Sequence, residues 1–346
     1  MSKTFAAAGK PMNPATGLSV WDRAEIMADD SWHYQLSSKT LDEIKANLAT
    51  IDAATVGLRD INPDNFPLPS FVEQGKAIAE QLGRGRGIAK LAGLDIANYS
   101  LDEAKLIYSG ICNYIGVTVS QSHLGDYIGE VMDFRNENDD RRYHNGGEFI
   151  MHRDPTTDVT GLLSIRQSME GGYSRLMSAS TLHNTLLADY PELMDTIYKG
   201  FYYRRTTPDR GTTDLYTPYR IPVFDFAETG EFMSHYIPGF SEFYQQRDEL
   251  PEDHIEVQAQ NAIKDVLWNR PHLYLENMME PGDMQFCSNR IALHARTDYT
   301  DWPEIERARL LLRVWLQLPE LSLVPTHMEM FENRDRYNGG IAKLEK

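Results

Sequence analysis

Up to about residue 115 the apolar residues of this chain recur at helical spacing, and from Gly116 onward short β-like runs take over. Leu41, Ile44, Leu48 and Ile51 form one buried stripe, with Ser37 or Ser38 as its N-cap. Phe71, Ile78 and Leu82 form a second stripe, capped by Ser70 and ended by Gly83. A third helix is predicted over 101–114, and the apolar run 88–94 before it reads as an early strand. Residues 1–20 carry Gly9, Pro11, Pro14 and Gly17 without periodicity, which predicts an extended N-terminal arm.

The later runs, 117–119, 127–131, 149–151, 159–165, 284–287, 291–294 and 310–318, are separated by Gly, Asn and Asp, which argues for a sandwich or barrel-like β core. Helices over 180–187 and 252–268 interrupt it, with a short turn opened by Pro191. The irregular, tyrosine-rich stretch 201–244 predicts a binding lid inserted over about 201–250, with a plain surface excursion as the alternative. No repeat or linker divides the chain. The expectation is one domain from residue 21: a helical layer over 21–115, a β core over 116–320 and a C-terminal tail over 321–346.

Composition narrows the partners. A net charge of −17, from 51 acidic and 34 basic residues, argues against nucleic acid and against an anionic membrane surface. Cys112 and Cys287 lack CxxC spacing and read as buried thiols in a reducing, cytoplasmic compartment. The apolar run at Phe5 is too short for a secretory signal, and no run approaches the ~20 residues that cross a bilayer. Arg84-Gly85-Arg86-Gly87 lacks the flanking pattern of a phosphate cradle and reads as a helix-to-strand turn. A small-molecule partner fits these limits, and a homo-oligomer is left open.

Three His-x-acid pairs occur: His152/Asp154, His254/Glu256 and His327/Glu329. Residues two apart share one side of a strand but diverge around a helix, which removes His254/Glu256 from a predicted helix. No histidine follows His327 to complete a set. His152 and Asp154 follow a β-like run and precede Pro155, so both side chains stand at a strand mouth. His294 ends a short strand far downstream, and two imidazoles with one carboxylate suit one face of a six-coordinate iron(II). Arg309 and Arg313 sit in a strongly apolar β-like run, where a buried guanidinium calls for an anion.

Two blocks carry a resemblance: His152-Arg153-Asp154 with Gly171-Gly172-Tyr173-Ser174, and Pro281-Gly282-Asp283 through His294-Ala295-Arg296 to Asp301-Trp302-Pro303 and Arg309. Over about 66–319 the chain resembles the taurine dioxygenase/TfdA-like family of iron(II)- and 2-oxoglutarate-dependent oxygenases. Arg153 departs from it where a small residue or threonine is common, as does Cys287-Ser288 where a second asparagine is frequent.

The resemblance implies an α+β fold with a double-stranded β-helix core, a cupin-like jelly-roll, flanked by helices mostly from the N-terminal third. It implies iron(II) held by His152, Asp154 and His294, with 2-oxoglutarate and O2 as co-substrates. Arg309 would meet the distal carboxylate of 2-oxoglutarate, and Ser174 would add a hydrogen bond. Arg313 stands where relatives hold an acidic group of the substrate, with Asp283 or Asp301 as its alternative partners. Gln121, Tyr143 and the aromatic stretch are candidate pocket walls. The implied reaction is hydroxylation of an unactivated C–H in a small carboxylate-bearing metabolite, with release of succinate and CO2. Desaturation, epoxidation and cyclisation need the same cofactors, whereas halogenation would need the Asp154 position vacated. A zinc hydrolase could use the same three ligands but leaves Arg309 and Arg313 unexplained. A non-catalytic jelly-roll binding protein has little reason to keep all three.

Overall fold

The computed structural model describes all residues except 1–12, 52–55, 136–146, 206–213, 227–230, 321–327, 332–333, 337–338 and 345–346, and no side chains for 243–247. The strands are β1 (His33–Gln35), β2 (Ile88–Ala92), β3 (Val117–Val119), β4 (Ile128–Val131), β5 (Phe149–His152), β6 (Val159–Arg166), β7 (Glu170–Gly171), β8 (Ser174–Ser178), β9 (Phe224–Phe226), β10 (Phe232–Ser234), β11 (Tyr274–Asn277), β12 (Met284–Ser288), β13 (Ala292–Arg296), β14 (Tyr299–Thr300) and β15 (Leu310–Gln317). The helices are α1 (Arg23–Met27), α2 (Ser38–Leu48), α3 (Val72–Arg84), α4 (Leu101–Cys112), α5 (Ala179–Asp189), α6 (Met194–Lys199), α7 (Pro238–Arg247) and α8 (Ile255–Asn269).

One sheet runs β1-β2-β12-β6-β15-β3, with β4 also paired to β15; a second runs β11-β8-β13-β5. The long central strand β15 explains why its sequence reads as continuous rather than alternating. All eight of its residues are buried. Leu312, Val314 and Leu316 pack outward against Ile44, Ile78 and Leu106 of the N-terminal helices, while Leu311 and Arg313 face a cavity on the other side. β6 divides in the same way, with Val159 and Leu163 outward and Thr160, Leu162 and Ser164 inward. A strand covered on both faces needs apolar residues on both, and its few inward polar groups then mark the site.

Local chemistry sets the helix ends. Ser37 caps α2, its Oγ accepting from the Thr40 N–H at 3.1 Å. Ser100 and Glu103 form a capping box that starts α4. Ser70 does not cap α3: its hydroxyl donates to Glu43 at 2.7 Å, and the helix starts later, at Val72. Residues 13–21 dock on α5, where the Asn184 side chain accepts from the Ala15 N–H at 2.7 Å and donates to the Ala15 carbonyl at 2.9 Å.

Two expectations change. The helices are not drawn mostly from the N-terminal third, because α5, α6 and α8 pack on the outer face of the four-stranded sheet through Leu182, Ile197, Ile263, Met177 and Leu293. The described part of the predicted lid is largely core of that second layer: Phe201, Tyr203, Ile221, Phe224 and Tyr236 are each 0% exposed. A segment without periodicity can still bury its aromatic residues one at a time, each where a gap between helix and sheet admits it. Among the described residues no helix is long and apolar enough to cross a membrane.

Candidate metal centre

β5 ends at His152, and β13 lies antiparallel beside it with His294 directly opposite. The two imidazole centroids stand 4.3 Å apart. Asp154 lies just beyond the strand end, where its N–H donates to Asn289 Oδ1 at 3.0 Å. One ligand atom from each of His152, Asp154 and His294 lies within 4.8 Å of the other two, and all three residues are buried.

The neighbours prepare these groups for a cation. His152 Nδ1 sits 2.7 Å from the Ile150 carbonyl, which can only accept, so Nδ1 carries the proton and Nε2 keeps its lone pair. That Nε2 is buried without a hydrogen-bond partner among the described residues. Asp154 Oδ2 accepts from Thr160 Oγ1 at 2.6 Å and from Trp315 Nε1 at 2.9 Å. Asn289 Nδ2 in turn donates to Thr160 Oγ1 at 3.0 Å, so one side chain orients both the ligand's backbone and its hydrogen-bond donor. Burial raises the Asp154 carboxyl, but Arg313, the two imidazoles and Thr160 outweigh it and hold it well below the usual range. Burial, aided by His152 and Arg313 against Asp154, lowers His294 to about 3. At neutral pH the set is therefore one carboxylate and two neutral imidazoles, the form a divalent cation binds. The observed donor set and the unpartnered Nε2 fit iron(II).

Ser174, His294, Arg309 and Arg313 line one cavity with Thr160 and Arg296. Arg309 is 6% exposed, and its Nη1 has no hydrogen-bond partner among the described residues. Burial first, then the nearby Arg296, pull its pKa down to about 10 against Tyr299 and Asp301. Such a guanidinium is in want of an anion. Ser174 Oγ accepts from Gln285 Nε2 at 2.7 Å. Arg313 takes neither carboxylate weighed from the sequence: Asp283 pairs with Lys90 at 2.7 Å, and Asp301 accepts from the Arg309 N–H at 2.8 Å. Its Nη1 instead stands 3.6 Å from Asp154, and its Nε donates to Gln121 Oε1 at 2.7 Å. Gln121 thus holds Arg313 rather than lining the cavity. Tyr143 lies outside the described residues.

Thr160, Trp315, Asn289 and Gln285 escaped the sequence reading. The one available signal was alternation, since Thr160 and Trp315 fall on the inward parity of β6 and β15; nothing along the chain says that Asn289 reaches Asp154. The buried Arg153 turns away from the ligands, its Nη1 donating to the Ser234 carbonyl at 3.0 Å.

The other His-x-acid pairs have other work. His254 caps α8, and Glu256 pairs with Arg220 at 2.7 Å, so His254 precedes the helix instead of lying within it. His327 lies outside the described residues. Glu329 is 3% exposed. Burial raises its carboxyl to about 7; Arg334 and Arg153 oppose the rise, and Asp158 adds to it. Its folded pKa exceeds the unfolded value, so its stabilising contribution is complete below about pH 4.5 and is lost as pH rises through about 7. Between pH 5 and 8 the wild type should therefore lose up to ~3 kcal/mol relative to Glu329→Gln. Equal pH slopes in denaturant unfolding of the two proteins would refute this.

The chain is 26% identical over 326 residues to FR-33289 synthase of Streptomyces rubellomurinus, covering 91% of this chain and 94% of that one. It is 22% identical over 279 residues to the taurine hydroxylase-like protein SAT17 of Stachybotrys chartarum, covering 74% and 69%. Among solved structures it resembles asparagine oxygenase in complex with Fe(II), 3-hydroxyasparagine and succinate, with a TM-score of 0.62 at 14% identity over 83% of this chain and 93% of that one. It also resembles the non-heme iron oxygenase OrfP in complex with Fe and alpha-ketoglutaric acid, with a TM-score of 0.59 at 15% identity over 82% and 94%. These structural likenesses establish a cupin-like double-stranded β-helix as the core fold. The sequence model of the family described as taurine catabolism dioxygenase TauD, TfdA matches residues 53–315, and the chain belongs to that family.

Proposed function

We propose that this iron(II)- and 2-oxoglutarate-dependent oxygenase hydroxylates an unactivated C–H of a small, carboxylate-bearing metabolite, releasing succinate and CO2. The observation that carries the reading is the convergence of His152, Asp154 and His294, of which His294 opens onto the cavity lined by Arg309, whose Nη1 has no hydrogen-bond partner among the described residues. Bound iron(II), with 2-oxoglutarate and O2, supplies a two-electron oxidation coupled to decarboxylation. His152, Asp154 and His294 would hold the metal. Arg313 and the two imidazoles keep Asp154 ionised, and Thr160 and Trp315 hydrogen-bond to its Oδ2 and fix its orientation. Arg309 receives the distal carboxylate of 2-oxoglutarate, with the Ser174 hydroxyl beside it.

Arg313 supports an acidic substrate. It lines the cavity from β15, with Gln121 accepting from its Nε and its Nη1 3.6 Å from Asp154. Relatives described as a synthase, a hydroxylase-like protein and an asparagine oxygenase agree with a biosynthetic, small-molecule role.

The test is spectroscopic and then catalytic. Anaerobic addition of iron(II) and 2-oxoglutarate should produce a visible charge-transfer band that His152→Ala abolishes. In air, acidic small molecules should stimulate succinate release. The same band in the variant would overturn the metal reading, and stimulation by neutral compounds alone would overturn the role of Arg313.

A further inference from the structure

The region matched by the family ends at residue 315, but the chain beyond it returns to the site. Met328, Met330 and Phe331 are buried in the core of the second helical layer. The Met330 carbonyl accepts from Arg205 Nε at 2.8 Å, and the Glu329 carbonyl from the Tyr219 hydroxyl at 2.9 Å. Further on, Asp335 Oδ2 accepts from the Ser120 N–H at 3.0 Å and from the Tyr127 hydroxyl at 2.8 Å. The Gly340 N–H donates to the Thr156 carbonyl at 2.6 Å, and the Ile341 N–H to the Ser120 carbonyl at 2.8 Å.

Two features of the site depend on these contacts. Thr156 follows Asp154 by two residues and has φ of +51°, a conformation that a β-branched residue rarely adopts without support from its surroundings. Gly340 supplies an anchor there, and only glycine fits: its φ is +67°, and an added Cβ would stand 2.5 Å from the Ser120 carbonyl. Ser120 and Tyr127 bracket Gln121, whose Nε2 donates to the Arg313 carbonyl at 2.7 Å and the Tyr127 carbonyl at 3.1 Å while its Oε1 accepts from Arg313 Nε. Asp335 thus fixes both ends of the loop that holds Arg313 against Asp154. None of these C-terminal residues lines the cavity.

We propose that the C-terminal residues 328–331, 335 and 340–341 act as a positioning strap that sets Asp154 through Thr156, and Arg313 through Gln121, so that the metal centre is fully assembled only when these residues are docked. The proposal rests on the metal reading above. Hydrogen bonding supports it, because a single Asp335 side-chain oxygen accepts from two donors of one loop. Outer groups that orient metal ligands are worth about 10- to 100-fold in metal affinity, and a strap one layer further out belongs at the low end.

The experiment is a mutant cycle in the full-length chain. The readouts are anaerobic iron(II) titration in the presence of 2-oxoglutarate, followed at the charge-transfer band, and thermal melting. Asp335→Ala should weaken iron(II) binding about tenfold. Asp335→Asn, whose amide oxygen still accepts, should stay within about twofold of wild type. Adding Asp335→Ala to Gln121→Ala should cost little more than Gln121→Ala alone, because both act through Arg313. If Asp335→Ala is too unstable to load, Tyr127→Phe removes one of the two bonds and should show part of the same loss. Unchanged binding in Asp335→Ala, or in Tyr127→Phe where that variant stands in, overturns the strap, as do losses that multiply in the double variant. A wild type without the band overturns the metal reading and the strap with it.

Discussion

Arg309→Met is expected to weaken 2-oxoglutarate binding by about 100-fold while making the metal-free protein more stable. The two effects have opposite signs for one reason. Arg309 is almost fully buried, its Nη1 lacks a hydrogen-bond partner among the described residues, and the nearest strong influence besides burial is the like charge of Arg296. A desolvated cation in that setting costs folding free energy, and a methionine of similar length would recover on the order of 1–2 kcal/mol. Once the distal carboxylate of 2-oxoglutarate arrives, the same cation gains a charge-assisted pair in a water-poor cavity. Isothermal titration of the metal-loaded protein and thermal melting of the metal-free protein measure the two halves separately. Pyruvate, which has the 2-oxoacid chelate but no distal carboxylate, should bind both proteins alike. A parallel loss for pyruvate, or a lower melting temperature, would show that Arg309 is structural.

Asp154→Ala should behave in the opposite way, losing metal and stability together. It removes the one carboxylate of the donor set, and iron(II) affinity should fall by more than about 100-fold, beyond the range typical of groups that only orient ligands. It also leaves the Thr160 hydroxyl, the Trp315 indole N–H and the Arg313 guanidinium facing an apolar methyl group. Removing one partner from a buried charged cluster costs ~3–5 kcal/mol because the remaining charge is uncompensated. Asp154→Asn keeps the shape and an acceptor oxygen, so it should recover most of the stability but little of the metal affinity. Titration with iron(II) and urea unfolding of the metal-free forms give the comparison. A metal affinity that survives in Asp154→Ala would remove this residue from the ligand set.

The site was more legible in the sequence than the fold around it. His152-Arg153-Asp154 could be singled out among three similar pairs because a strand mouth and a proline constrain where side chains point. His254 and Glu256 fall in a stretch of helical periodicity, yet only Glu256 lies within the helix and His254 is the cap in front of it. Irregular spacing over 201–244 does not reveal which aromatic residues are buried, and Phe201, Tyr203 and Tyr236 fill the core between α5, α8 and the four-stranded sheet. Ser70 looked like a cap, but a carboxylate 27 positions earlier in the chain, Glu43, binds its hydroxyl instead.

What the sequence determined by itself is what short-range physics controls: the helices of the first third, the β texture after Gly116, and the types of ligand that two imidazoles and a carboxylate can form. Only the tertiary structure decided which distant groups complete the site. β13 brings His294 opposite His152 across a pair of hydrogen-bonded strands, and β6 and β15 place Thr160 and Trp315 on Asp154. Asn289 reaches the Asp154 backbone across 135 residues of sequence, and Asp335 reaches Ser120 across 215. Hydrogen bonds of this kind leave no periodicity in the chain. They arise from the register of one sheet against another, which is fixed by the packing of all the buried residues at once.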